Sequence, residues 1–297
     1  MPNKTTSAHQ FAGPVQYIAE TTEGTIPTTG STTVLSCKML SIKKDGQFVD
    51  IGQLGTEDLL AIINGAKKPE SQIKIVADAI TFIKRSINSQ NIGTIAGTIS
   101  ESFSLVVPIY LNNTVNYIVL KGCREKQIQI NMEIGKDIEF TIDLVNTTIV
   151  KPTATPPTGL TLTTTFPTTS PYTWLTGGTG PITWNGTALN AKKCSVTINR
   201  NTTVDHTLGN EDPYSSLNHG RRITAEIMGL WTENTVETDH DAGTARTLVV
   251  TIDSTEAVLT ISNAKVKTYN RDVDEADTEA AVENMTIGAL TCALASA

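Results

Sequence analysis

The pentapeptide LGTED at residues 54–58 returns as LGNED at 208–212, an interval of 208 − 54 = 154 residues in a chain of 297. A turn written nearly twice, half the chain apart, raises the expectation that one small unit is built two times. One such match carries little weight, but others follow in the same order. AKKCSVTINR (191–200) answers the strand-like TTVLSCKMLSIKK (32–44). Lys67-Lys68 and Arg221-Arg222 follow the two Gly-containing turns at equivalent places. The closing VENMTIGALTCAL echoes IEFTIDLV, with Glu283, Thr286 and Ile287 standing against Glu139, Thr141 and Ile142. Length gives the same answer, since roughly 100–200 residues make a domain. The breaker-rich run from Lys151 to Gly180, with Pro156-Pro157 inside it, supplies a boundary near Thr153–Pro157. The expected domains are residues 1–152 and 153–297.

The composition favours strands. Thr, Val and Ile suit pleated, half-buried surfaces, and the hydrophobic fraction of 39% is enough for two modest cores. ESQIKI (70–75), ESFSLVVPIYL, VNYIVLKG, KQIQINMEI, DIEFTIDLV, HGRRITAEIMGLW, TARTLVVTID and EAVLTISNAKVKTYN read as strands. Gly122 and Gly135-Lys136 read as breaks between strands, and Asp45-Gly46 as a turn. TEDLLAIING (56–65) suits one or two helical turns, with Thr56 as N-cap and Asn64-Gly65 as the stop. In VADAITFIKRSINSQ the residues Val76, Ala79, Ile80, Ile83 and Ile87 recur at helical spacing, which makes it the clearest helix. Its counterpart WTENTVETDHDAG (231–243) keeps no apolar stripe, so the second copy has lost or shortened the helix.

A net charge of −7 argues against a grip on nucleic acid or an anionic membrane, both of which need surplus Lys and Arg. The N-terminus lacks the apolar core of a secretory signal and no run reaches the length of a membrane span, so the chain reads as soluble and unprocessed. Cys37, Cys123, Cys194 and Cys292 lie far apart, without metal-ligand spacing, and read as buried free thiols. Chemistry is hard to assemble from the rest. No nucleophile elbow surrounds a serine near His9, His206, His219 or His240. DVDEADTEAAVE (272–283) has Asp277 where a calcium loop needs glycine. GGTG (177–180) precedes no helix that could hold a phosphate. The sequence therefore points to a structural or binding protein, not an enzyme, with no cofactor and no metal. The residues singled out for assembly are those of the repeated turns and basic pairs: Gly55, Glu57, Lys67 and Lys68 in the first half, Gly209, Glu211, Arg221 and Arg222 in the second. The plain alternative is a pair of charged turns.

Four segments together resemble a known family. YIVLKGCREKQIQINMEIGKDIEFTIDLV (117–145) is similar to the closing strands of tail tube proteins from long-tailed double-stranded DNA viruses. VQYIAETTEGTIPTTG (15–30) resembles that family's opening segment. CSVTINRNTTVDHTLGNEDPYSSLNHGRRITAEIMGLW (194–231) resembles its Asn-rich strand, Gly turn and Gly-Arg step, and AVLTISNAKV (257–266) a late strand. The resemblance implies a mainly β fold of two tandem tube-like sandwich or barrel domains, each with a flanking helix, weaker in the second copy. It implies a virion tail protein, assembled in the host cytoplasm, whose rings stack into a conduit for the genome. Family members with one such domain commonly form six-fold rings, so two domains per chain imply a homotrimer, 3 × 2 = 6, with a hexamer as the alternative. Implied partners are further copies of the chain and the tail terminator, tail tip and tape-measure proteins. Double-stranded DNA would pass an acidic lumen without specific binding. Alternatives are a tail adaptor or baseplate hub ring and, more distantly, a β-rich surface adhesin.

Overall fold

In the computed structural model the described residues are 11–52, 59–76, 80–88, 102–111, 113–166, 182–207, 211–217, 220–230, 235–253, 257–272, 282–289 and 291–295. They are mainly β. The first half holds β1 (Val15–Ala19), β2 (Gly30–Ser31), β3 (Thr33–Leu35), β4 (Cys37–Gly52), β5 (Leu59–Val76), α1 (Ile80–Asn88), β6 (Phe103–Leu111), β7 (Thr114–Glu133), β8 (Glu139–Val145) and β9 (Thr148–Thr153). The second holds β10 (Leu160–Thr161), β11 (Ile182–Trp184), β12 (Thr187–Leu189), β13 (Ala191–Asn199), β14 (Thr203–Asp205), β15 (Ser215–Leu217), β16 (Arg222–Leu230), α2 (Thr235–Asp241), β17 (Arg246–Asp253), β18 (Ala257–Asp272), β19 (Val282–Ala289) and β20 (Thr291–Ala295). Sixteen of these strands share one large sheet.

Period-two alternation decides which face each strand buries. Phe140, Ile142 and Leu144 of β8, Ile128, Ile130 and Met132 of β7, and Cys194, Val196 and Ile198 of β13 are all buried. The residues between them are only half-buried and polar: Thr141 and Asp143, Gln129 and Asn131, Ser195 and Thr197. Each buried Ile, Leu or Phe contributes roughly 1.5–3 kcal/mol relative to exposure. A register slip of one residue would put the whole apolar row in water, so the pairing is strongly specified.

The pairings before and after residue 180 run in parallel. In the first half they are β1·β3, β1·β6, β6·β7, β7·β9, β7·β8, β5·β8 and β4·β5. In the second they are β11·β12, β11·β17, β17·β18, β18·β20, β18·β19, β16·β19 and β13·β16. All are antiparallel, and each has its counterpart in the other half. α1 falls between β5 and β6, and α2 between β16 and β17.

Three of the irregularities correspond as well. β4 shifts register between Cys37 and Met39, and β13 between Ala191 and Lys193, an interval of 191 − 37 = 154. That is the spacing of the two repeated turns. β7 bulges at Gly122 (φ 59°) and again between Glu125 and Gln127; β18 bulges at Asn263 (φ 52°) and again between Val266 and Thr268. Both intervals are 141: 263 − 122 and 266 − 125. Bulges re-aim a strand at a fixed place, so they act as register marks. At Gly122 the lack of a side chain is required, since an added Cβ would lie 2.2 Å from Thr147 Oγ1. The buried Glu20 carboxylate pins this bulge by accepting from the Gly122 N–H at 2.9 Å, while also accepting from Gly24 N–H and the Ser102 and Ser104 hydroxyls.

Several local expectations are corrected. Residues 59–65 are strand, not helix, because β5 continues through them and β4 pairs alongside from Phe48↔Asn64 to Gly52↔Leu59, with one register shift between Ile51 and Gly52. β4 runs straight through Asp45-Gly46, where a turn was expected; the glycine is absorbed by a register shift between Gly46 and Phe48. Gly122 does not break the chain into two strands; it is a bulge inside the single strand β7. Val76, expected on the helix, belongs to β5 instead, and α1 is described over Ile80–Asn88. The closing segment is two strands: β19 pairs with β16 and with the later part of β18, and β20 with the earlier part of β18. The ladder also moves its residue matches. Ile142 opposes Ile128 as Met285 opposes Tyr269, so Ile287 corresponds to Leu144 and not to Ile142. A helix is present in the second half, and among the described residues it covers seven positions against nine for α1. The GGTG and DVDEADTEAAVE segments lie largely outside the described residues.

Candidate functional site: the joint between the two strand sets

The outer edge of β7 is taken by β13, the first long strand of the second half. Seven residues pair antiparallel, from Lys193↔Glu133 through Ser195↔Asn131 to Asn199↔Gln127. Backbone bonds extend the ladder at both ends, Ile134 N–H to Lys192 O at 3.2 Å and Arg200 N–H to Lys126 O at 2.9 Å. On the core face the opposed residues Met132 and Cys194, Ile130 and Val196, and Ile128 and Ile198 are buried together. On the other face the Ser195 hydroxyl donates to Asn131 Oδ1 at 3.0 Å and accepts from Gln129 Nε2 at 3.4 Å. The joint is therefore apolar below and a hydroxyl–amide network above.

α1 reinforces it. The last carbonyls of a helix have no partner within the helix and attract cations. Arg200, at the end of β13, donates to the Ser86 and Ile87 carbonyls of α1. Arg221 donates to Ile87 O at 3.1 Å and Cys292 O at 3.2 Å, tying α1 to β20. The buried Glu125 carboxylate lies 3.4 Å from Arg85 and 3.8 Å from Arg200. The opening segment adds a strap: Glu23 accepts from the Ser216 N–H and hydroxyl, both at 2.7 Å, and pairs with Arg124 at 2.9 Å.

The residues singled out from sequence are partly brought together here. Lys67 reaches the second repeated turn, with its ammonium 3.0 Å from Glu211 and 3.4 Å from Asp212 and its N–H bonded to Glu211 O. These acids raise the Lys67 pKa, Glu211 first through its hydrogen bond. Lys68 and Arg222 occupy matching ladder places, opposite Asp45 in β4 and Asn199 in β13. Arg221, matched to Lys67 by the 154-residue interval, serves α1 instead of an acidic turn. Gly55, Glu57 and Gly209 lie outside the described residues. Sequence reading missed Arg200, Glu125, Asn131 and Ser195. Only the alternation of CSVTIN beside that of QIQINM signalled that two such strands could zip together.

The polar face of this sheet is continuous across the joint. Gln72, Asp143 and Gln127 line up across β5, β8 and β7, and Thr141, Gln129, Thr197 and Thr224 across β8, β7, β13 and β16. Gln72 Nε2 donates to Asp143 at 2.7 Å. Both charge signs are present: burial raises the Glu139 carboxyl, but bonds from Lys74 and Lys38 outweigh it and leave its pKa lowered. No cluster of His, Cys, Asp and Glu suited to a metal ion occurs among the described residues. The four thiols are free. Cys123, Cys194 and Cys292 are buried as expected, whereas Cys37 is half-buried. Burial pushes Cys194 up to about 12 and Cys37 to about 11, so neither is a thiolate nucleophile at neutral pH. Among the described residues no helix is long and apolar enough to cross a membrane.

Comparison with known proteins adds one finding. Residues 10–287 match the model of a family described as phage tail tube protein. No curated protein matches the chain.

Proposed function

The chain belongs to the phage tail tube protein family, a structural component of the virion tail that assembles into a tube, and on that premise we propose that its rings stack around a lumen which conducts the viral genome from capsid to host. The observation that carries this reading is the strand joint. One set of strands offers the outer edge of β7, and the other covers it with β13, head to tail. A head-to-tail contact repeats until rotation closes it into a ring or leaves a helix. An open sheet edge is otherwise a hazard for uncontrolled pairing; a ring uses it.

The matched pairings and bulges support reading residues 1–152 and 153–297 as two copies of one tube domain. Three such chains bring six domains into a ring, with six chains as the alternative. The continuous polar face is the candidate lumen wall. Its amides and hydroxyls satisfy one another, and its charges are of both signs, so a passing phosphate backbone finds no basic row to hold it. Stacking draws on the long β4–β5 hairpin, whose paired strands extend beyond the joint. The partners are other copies, the tail terminator, the tail tip and the tape-measure protein, and assembly takes place in the host cytoplasm. The protein acts by shape and does not catalyse a reaction.

Negative-stain microscopy of the concentrated, purified chain tests this directly. Rings and open-ended tubes are the expected images. A chain that stays monomeric at every concentration and salt condition overturns the proposal, and rings that never stack turn it into a one-ring adaptor.

A further inference from the structure

The β7·β13 joint has a counterpart that one chain cannot complete. β18 stands to β17, β19 and β20 as β7 stands to β6, β8 and β9, and β4 stands to β5 as β13 stands to β16. Where β13 covers the outer edge of β7, no described strand covers the matching edge of β18. Nor does any described strand cover the outer edge of β4, which matches the edge of β13 that meets β7. The described strands thus leave two unlike edges whose equivalents are already joined to each other inside the molecule.

We propose that β18 of one copy pairs antiparallel with β4 of a second copy, in the register that β7·β13 dictates. The bulges fix that register residue by residue. Moving from β7 to β18 adds 141, and moving from β13 to β4 subtracts 154. Ser195↔Asn131 becomes Ser41 opposite Asp272, since 195 − 154 = 41 and 131 + 141 = 272. Val196↔Ile130 becomes Ile42 opposite Arg271, and Asn199↔Gln127 becomes Asp45 opposite Thr268. The occupant is a second copy of this chain because the template for the contact is this chain's own. The two edges differ, so one contact leaves a β4 edge at one end and a β18 edge at the other, and addition continues until the ring closes. This inference rests on the tube reading and gives it an address.

Disulfide trapping in the full-length chain tests it. Directly opposed residues of an antiparallel pair have Cα atoms about 4.5–5.5 Å apart, within reach of a disulfide. A double variant Ser41→Cys with Asp272→Cys, oxidised after assembly, is expected to give chain-to-chain bonds on a non-reducing gel, the largest species counting the chains in a closed ring. The pair Ser195→Cys with Asn131→Cys reports the same geometry inside one chain and is expected to give an internally linked monomer. Ser41→Cys with Thr268→Cys is displaced by four residues, roughly 13 Å along the strand, and is expected to give no bond. Single variants set the background from the native thiols. Rings that lack the Ser41–Asp272 bond while the internal control forms, or that link through Thr268 instead, overturn the register and leave the tube reading standing. A chain that forms no ring or tube at all removes the tube reading and this joint with it.

Discussion

The two helices sit at matching places and are held by different chemistry. In the first half Phe82 of α1 packs on Tyr17 and Phe103, with ring centroids 4.7 and 5.4 Å away, and Arg85 lies over the Phe103 ring at 4.8 Å. In the second half the Asp239 carboxylate of α2 accepts from Trp184 Nε1 at 2.8 Å and from Arg246 at 3.0–3.1 Å. The ladder makes these the same sites. Tyr17 opposes Leu105 as Trp184 opposes Leu248, and Phe103 and Arg246 each lie two residues before those partners. One frame therefore accepts an aromatic trio or an ion pair with a tryptophan N–H bonded to it. The frame is specified by the strands, and the helix needs only one adequate anchor to dock on it.

The comparison is broken most forcefully by Phe82→Ala. Removing a ring that is fully buried should cost about 3–5 kcal/mol, read as a fall in the denaturant midpoint and loss of exchange protection in α1. If α1 keeps its protection, the aromatic anchor is not what docks it. Next in size is the register mark. Gly122→Ala forces a Cβ into Thr147 at a positive φ and should cost about 1–3 kcal/mol, while Asn263→Gly, at the matching bulge of β18, should change stability by only a few tenths. Equal losses would mean that the two bulges are not the same device.

Asp239→Ala strands the buried Trp184 N–H and should cost about 1–3 kcal/mol, with a shift in tryptophan emission. Its pH behaviour separates the two anchors. The bond from Arg246 holds the Asp239 carboxyl below its usual pKa, burial opposes this, and the bond from Trp184 adds to the lowering. A depressed carboxylate pKa gives stability that is present above the unfolded value of about 3.9 and is lost as pH falls through the folded one. Hydrogen exchange should therefore show α2 loosening before α1 as pH drops below about 4. Asp239→Asn should flatten that acid limb for α2 alone; an unchanged limb would place the sensitivity elsewhere.

The smallest effect concerns the thiols. Alkylation of the folded chain at neutral pH should modify Cys37 slowly and Cys123, Cys194 and Cys292 more slowly still, since burial raises all four. Mass spectrometry reads the order, and early labelling of Cys194 would mean that the joint opens.

Alternation and repetition along the chain were enough to establish a mainly β protein, the order of most strands, the position of α1 and the 154-residue interval. Side chains of strands and helices carry their periodicity locally, so a row such as Phe140, Ile142 and Leu144 declares its buried face without a partner in view. Tertiary structure decided the rest. Residues 59–65 became strand because β4 lay alongside to pair them, and Gly122 became a bulge because the sheet continued past it. Arg200, Glu125 and Ser195 became joint residues because β13 came to rest on β7. Local sequence encodes which backbone groups need a partner and which face turns inward; which distant strand answers that need is settled only when the sheet closes.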